Sequence, residues 1–184
     1  MADPYRSWFL SPYPPPWLRV YDQTESNRHV SARRSWIDLV DHIAVLVCED
    51  HTIYREGVKS ILARESDLKV VGEACDTKEA IHLAQLLKPD VMLLNLSLPG
   101  IHALETTRHV AGNDRNVRIL VLGMYDDEET ALRCRDAGAS GYLLKDAPVP
   151  QLLLAIRHVR NSMLYLTPAS LKELNHSQGR PNAS

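Results

Sequence analysis

The chain has 184 residues, with 21 Lys and Arg against 23 Asp and Glu and a formal charge of −2 at pH 7, so it lacks the basic excess that binding along a phosphate backbone requires. Cys48, Cys75 and Cys134 are odd in number and far apart, which fits neither a metal or redox CxxC pair nor a disulfide framework; free thiols in a reducing cytoplasm are the simplest reading. No apolar run approaches the ~20 residues of a membrane span, and the length suits one α/β core with tails better than two domains.

Residues 1–41 hold all three tryptophans (Trp8, Trp17, Trp36), the only phenylalanine (Phe9) and five of the eleven prolines. The run Pro12-Tyr13-Pro14-Pro15-Pro16-Trp17 favours polyproline II, a form that aromatic grooves bind. The preferred reading is plainer: an unstructured extension, or one added by an upstream start codon, that folding does not need.

After Asp41 the pattern becomes regular. Short β-branched or leucine-rich runs at Ile43–Cys48, Lys69–Ala74, Val91–Leu94, Val117–Leu122 and Gly141–Leu144 predict five strands. Between them the spacing predicts helices, with faces formed by Ile53, Gly57, Ile61 and Leu62, by Ala80, Ile81, Ala84 and Leu87, by Leu104, Thr107 and Val110, and by Leu132 to Ala137. A fifth helix follows Pro148 and Pro150, with Leu152, Ile156, Val159 and Met163 on its apolar face and Arg157, His158 and Arg160 on its wetter side. Lys88-Pro89 stops the second helix, Asp126 to Glu129 suit a helix N-terminus, and Gly138 suits a C-cap.

Five alternations of strand and helix imply a parallel sheet covered on both faces, whose ligands bind beyond the carboxyl ends of the strands. Glu49 and Asp50 follow the first strand, Asn95 the third, Gly123 the fourth and Lys145 the fifth. The eight histidines, His51 and His102 among them, show no ligand spacing, and none is assigned a metal.

Six stretches carry a resemblance: Val47-Cys48-Glu49-Asp50-His51, Arg55-Glu56-Gly57, Val70-Val71-Gly72-Glu73-Ala74, Lys88-Pro89-Asp90-Val91, Leu96-Ser97-Leu98-Pro99-Gly100, and Gly138-Ala139-Ser140-Gly141-Tyr142-Leu143-Leu144-Lys145. In this order and spacing the chain resembles the receiver domains of bacterial two-component response regulators, especially those of LuxR/NarL-type regulators. The resemblance implies a flavodoxin-like, doubly wound, five-stranded parallel sheet of order 2-1-3-4-5 with five helices. The receiver then occupies residues 42–168, between the extension at 1–41 and a tail at 169–184. The order brings Glu49, Asp50 and Asn95 into one crevice at the switch between the first and third strands.

Receiver chemistry requires an acidic pair to hold Mg²⁺, an aspartate nucleophile, and a hydroxyl and a lysine that steady the phosphoryl oxygens. By resemblance Glu49 and Asp50 are the acidic pair, the Ser97 backbone carbonyl is a further metal ligand, Lys145 is the phosphate-site lysine, and Tyr142 is the switch aromatic. Two parts depart: Asn95 stands at the nucleophile and Gly123 at the hydroxyl. A carboxylate attacks phosphorus to give an acyl phosphate, whereas an amide oxygen is a poor nucleophile. No phosphotransfer at Asn95, no enzymatic activity and only weak Mg²⁺ binding are therefore expected. Because both departures fall on one reaction, a natural pseudo-receiver is favoured over an engineered Asp→Asn change.

Alternatives stand beside several of these roles. Lys145 serves either phosphate or a structural ion pair with the acids. Tyr142 is core or interface filler, or it occupies the space left by Gly123. In LuxR-type regulators a helix-turn-helix domain would follow, and the 16 residues after Pro168 cannot build one. The expected partners are a histidine kinase, another response regulator or a second copy of the chain, met around the fourth helix, fifth strand and fifth helix, with no direct DNA or membrane binding. The competing readings are a LuxR-type transcriptional regulator that has lost its DNA-binding half, and a phosphoacceptor that works through another carboxylate such as Asp50.

Overall fold

The computed structural model describes residues 42–166; the sequence expectations for the first 41 residues and for the tail lie outside them. The aliphatic runs form β1 (Ile43–Cys48), β2 (Leu68–Ala74), β3 (Val91–Asn95), β4 (Arg118–Gly123) and β5 (Gly141–Leu144), and between and after them run α1 (Thr52–Leu62), α2 (Thr77–Leu87), α3 (Ala103–Asn113), α4 (Glu128–Asp136) and α5 (Val149–Arg160). The sheet order is β2-β1-β3-β4-β5 and every pairing is parallel, the flavodoxin-like order that the resemblance implies.

Strand residues alternate between two cores because successive side chains leave opposite faces of a sheet. Met92, Leu94, Ile119 and Val121 pack with Leu83 and Ala84 of α2, Leu104 and Val110 of α3, and Cys134 of α4. Val91, Leu93, Leu120 and Leu122 pack on the other face with Val58 and Leu62 of α1 and Ile156 and Val159 of α5. No described helix is long and apolar enough to cross a membrane.

Two helix faces differ from the sequence expectation. On α1, Ile53 is 90% exposed and the buried residues are Val58 and Leu62. The stripe at spacing four through Tyr54, Val58 and Leu62 meets the sheet, so the inward face lies one residue beyond Ile53 and Gly57. Helix α5 ends at Arg160, a turn at Asn161 and Ser162 follows, and Met163 lies beyond it, exposed. Pro150 falls inside the first turn of α5, where a missing N–H leaves no bond unmade. After the turn the chain returns along β5: Tyr165 bridges Gly141, the Tyr142 N–H donates to the Tyr165 carbonyl at 2.8 Å, and Leu166 is buried in the core beneath α2 to α4.

The ends of the helices follow local chemistry. Asp76 caps α2 by accepting from the N–H groups of Lys78 and Glu79, and Gly138, just past α4, has φ +102°, the left-handed form glycine adopts cheaply after a helix. Buried Thr77 staples the start of α2 to the loop after β3: its Oγ1 accepts from the Ile101 N–H at 2.8 Å and its own N–H donates to the Pro99 carbonyl at 2.9 Å.

Arg157 ties α5 to the α1–β2 turn, donating to both Asp67 carboxylate oxygens at 2.8 and 2.7 Å and to Glu65 Oε2 at 2.7 Å. The Arg157 hydrogen bonds hold the Asp67 carboxyl below the usual aspartate range. A depressed carboxylate pKa gives stability that is present above the unfolded value of about 4 and is lost as pH falls through the folded value. Arg157→Gln is therefore expected to cost up to about 1 kcal/mol at pH 7, limited by solvent screening, and to cost progressively less below about pH 4. Urea denaturation of both proteins at pH 7 and pH 3 checks the sign; a larger difference at pH 3 would contradict it.

Candidate functional site at the carboxyl ends of the strands

The chain leaves β1 toward β2 and returns past it to β3, so the loops after β1 and β3 diverge and leave a crevice between neighbouring strands. Glu49 and Asp50 come from the first of these loops, and Asn95 is the last residue of β3. Lys145 follows β5 directly. Glu49 and Asn95 are each 1% exposed, so their polar groups need partners within the protein.

Asn95 holds three of those contacts. Its Nδ2 donates to Glu49 Oε1 at 3.1 Å and to Asp50 Oδ1 at 2.8 Å, while its Oδ1 accepts from the Ser97 N–H at 3.1 Å. The reverse orientation of the amide would aim an oxygen at two carboxylates and an N–H₂ at an N–H, so the surrounding groups dictate this one. Ser97 thus meets Asn95 through its N–H rather than its carbonyl.

Glu49 Oε1 also accepts from the His51 N–H at 3.1 Å and lies 2.9 Å from His51 Nδ1. Its Oε2 is 2.7 Å from Lys145 Nζ. Among the described residues no group gives that oxygen an aligned hydrogen bond, so the ammonium acts on it as a counter-charge. Lys145 Nζ in turn stands 4.8 Å from the centre of the Tyr54 ring, and burial followed by the Glu49 charge pushes the Tyr54 hydroxyl up to about 12. Arg55 fixes the backbone under the acids, its Nη1 donating to the Glu49 carbonyl at 2.7 Å while its Nε meets Glu73 at 3.2 Å. Partial burial opposes the charged form of Asp50. Hydrogen bonds from its own backbone and from Asn95, with the His51 charge, outweigh that and hold its carboxyl below the usual range.

His51 is the residue that histidine spacing set aside. Its Nδ1 is also 3.3 Å from Asp50 Oδ1, and ligand atoms of Glu49, Asp50 and His51 all lie within 4.8 Å of one another. The available signal was adjacency to the acids at the start of α1, where an N-cap side chain turns back toward the strand end.

At the rim, Gly123 ends β4 and Tyr142 rises from β5. Tyr142 is 1% exposed and its hydroxyl donates to the Tyr125 carbonyl at 2.8 Å. A Cβ built on Gly123 would fall 2.5 Å from Cζ and 2.8 Å from Cε2 of Tyr142, and nearer still to its hydroxyl. The ring therefore fills the space that any side chain at 123 would need.

The profile of the response regulator receiver domain matches residues 45–157, over half of the chain. The chain belongs to the response regulator receiver domain family. It is 36% identical over 126 residues to the transcriptional regulatory protein DegU of Brevibacillus brevis, covering 68% of this chain and 53% of that protein. Against the response regulator GacA of Pseudomonas aeruginosa it is 35% identical over 132 residues, 72% of this chain and 62% of the relative. Against the oxygen regulatory protein NreC of Staphylococcus aureus it is 39% identical over 147 residues, 76% and 68%. The chain thus spans between about half and two thirds of these relatives. A LuxR-family two-component response regulator from an Aurantimonas species has the same fold, with TM-score 0.69 at 32% identity over 76% of this chain and 99% of that one. ChrA, the response regulator of a heme-sensing two-component system, gives 0.60 at 31% identity over 78% and 69%.

Receiver domains are signalling domains that interact with histidine kinases and other response regulators, and they commonly bind Mg²⁺ at an acidic site. Glu49 and Asp50 have the right donor chemistry for that ion. Their arrangement does not fit it: Asn95 turns an N–H₂ toward both carboxylates, and Lys145 takes the remaining Glu49 oxygen. A cation would have to rotate the amide and displace the ammonium first.

Proposed function

We propose that this receiver is a signalling module of a two-component pathway that acts through protein contacts without being phosphorylated. Asn95 stands at the end of β3, where the family resemblance puts the phosphoacceptor. The observation that carries the reading is the Asn95 amide bridging Glu49 and Asp50, because it makes the acidic pair self-sufficient without Mg²⁺ or phosphate. An amide also supplies no nucleophile for an acyl phosphate, Gly123 has no hydroxyl to offer a phosphoryl oxygen, and the Lys145 ammonium is held by Glu49. Under this reading Lys145 and the acids form a structural ion pair and Mg²⁺ binds weakly. The partner is a histidine kinase, another response regulator or a second copy, met in the cytoplasm around α4, β5 and α5, and the net charge of −2 argues against direct DNA binding by this chain.

Incubation with acetyl phosphate and Mg²⁺, read by intact mass, tests the reading. The expected spectrum shows no added phosphoryl group; a hydroxylamine-labile adduct mapped to Asp50 or Glu49 would refute it. A second reading follows from the relatives named as transcriptional regulators: this receiver serves a LuxR-type transcriptional regulator. Altered transcription of target genes on deletion of the gene would decide for it.

A further inference from the structure

We propose that a cavity at the amino-terminal ends of β4 and β5 binds a small monocarboxylate with an apolar body, held by Arg118 and the hydroxyls of Ser140 and Ser162. The cavity lies at the opposite end of the sheet from Glu49, Asp50 and Asn95, and the proposal does not rest on the phosphorylation-independent reading.

The cavity has a volume of about 250 Å³ and is lined by Arg118, by Gly138 to Ser140 and by Ser162 to Leu164. Arg118 opens β4, Gly138 to Ser140 connect α4 to β5, and Ser162 to Leu164 follow α5. Main-chain bonds fix the last two of these segments. The Ser140 N–H donates to the Ile119 carbonyl at 2.8 Å, the Tyr165 N–H to the Ser140 carbonyl at 3.1 Å, and the Met163 N–H to the His158 carbonyl at 3.1 Å, closing the end of α5. The walls are in place before a ligand arrives, which spares binding the cost of ordering them.

Arg118 is the reason to assign an anion. Arg135, Arg157 and Arg160 each meet a carboxylate. Among the described residues half-buried Arg118 meets a hydroxyl instead, its Nη2 donating to Ser162 Oγ at 2.8 Å. That bond orients the guanidinium and leaves it further N–H donors for an acceptor in the cavity. Ser162 has φ +62°, the left-handed form that favours glycine just past a helix. Glycine would make the same turn, but only a side chain at 162 supplies the oxygen that Arg118 holds, and the Ser162 O–H is still available to donate to a ligand.

The charge and the walls narrow the ligand. One cation without a carboxylate matches a monoanion, and the planar guanidinium fork matches a carboxylate; a phosphate dianion would keep a charge uncompensated. Met163 and Leu164 are 46% and 47% exposed and stand beside these donors as an apolar wall, so the rest of the ligand is a short aliphatic or aromatic group. The volume falls just under the ~300 Å³ at which small-molecule pockets begin, which suits a branched-chain or benzoic acid and excludes a long fatty acid.

The test titrates the ¹⁵N-labelled full chain with benzoate, isovalerate, benzamide and inorganic phosphate at constant ionic strength. It follows the Arg118 Nε–H signal, identified by its loss in Arg118→Gln, and the amides of residues 138–140 and 162–164. At least one of the two carboxylates should shift these signals saturably with a Kd of roughly 1 mM or below, and benzamide, the neutral isostere of benzoate, should not. Arg118→Gln should abolish the shifts of the amides. Ser162→Gly relieves the left-handed residue and removes the hydroxyl, so it should weaken binding roughly tenfold while its melting temperature stays equal or rises. Absence of saturable shifts with both carboxylates overturns the proposal, as does benzamide binding as well as benzoate. Phosphate binding more tightly than either carboxylate overturns the assigned class. Should Arg118→Gln not fold, Ser162→Gly decides: unchanged affinity overturns the site, and weakened affinity at full stability supports it.

Discussion

Lys145→Ala is expected to lower the unfolding free energy by about 3–5 kcal/mol, the cost of stranding one member of a buried ion pair. The side chains of Lys145 and Glu49 are 9% and 2% exposed, so the pair is largely shielded from water and the loss of the ammonium leaves a buried charge. Among the described residues the hydrogen bonds to the Glu49 carboxylate fall on Oε1, so none compensates. Neutralising the stranded acid should recover much of the loss: Lys145→Ala/Glu49→Gln should be more stable than Lys145→Ala alone, a non-additivity that contact between the two side chains requires. Urea denaturation at pH 7 measures both variants. A loss under about 1 kcal/mol, the range of an exposed pair, would show that this ion pair does not anchor the crevice.

Asn95→Asp is expected to destabilise the Mg²⁺-free protein by about 2–3 kcal/mol, because two hydrogen bonds to carboxylates disappear and a third negative charge enters the same crevice. Mg²⁺ should offset the change. A cation bound by three carboxylates and held at a hundredfold excess over its Kd adds about 2.7 kcal/mol to stability, so the variant should recover and its melting temperature should rise by roughly 5–10 °C. The wild-type protein, whose amide already bridges Glu49 and Asp50, should respond hardly at all. Thermal unfolding of both proteins with and without Mg²⁺ makes the comparison, and equal stabilisation of the two would contradict the role given to the amide.

Much of this arrangement is legible in the sequence because its signals are local. Runs such as Met92 to Leu94 and Ile119 to Leu122 have no polar member and mark buried strands, and the residues that end them must meet at one edge of a parallel sheet. Grouping Glu49, Asp50, Asn95 and Lys145 follows from that, together with a strand order that only family resemblance supplied. What escaped depends on angles and reach. The inward face of α1 turns on where the helix starts, and starting at Thr52 puts Val58 inside and Ile53 outside. His51 enters the crevice by folding back over two residues to Glu49, a contact that ligand-spacing patterns do not describe. The bridge of Tyr165 to Gly141 follows a turn after α5 where periodicity stops, which is also why Met163 was expected on the helix. The direction of the Asn95 amide became readable only when all three of its neighbours were in place.

An Asn95 amide that stands where a receiver would place its cation is visible in its own NMR signals. In protein carrying ¹⁵N-labelled asparagine, with Asn95→Asp identifying the signals, the two Nδ2 hydrogens should be protected from exchange with water, as expected for groups bonded to Glu49 and Asp50. Adding Mg²⁺ with beryllofluoride should leave their shifts and protection unchanged. Saturable displacement of those signals by Mg²⁺ at physiological concentration would show that the amide yields to the ion and does not hold the acidic pair in its place.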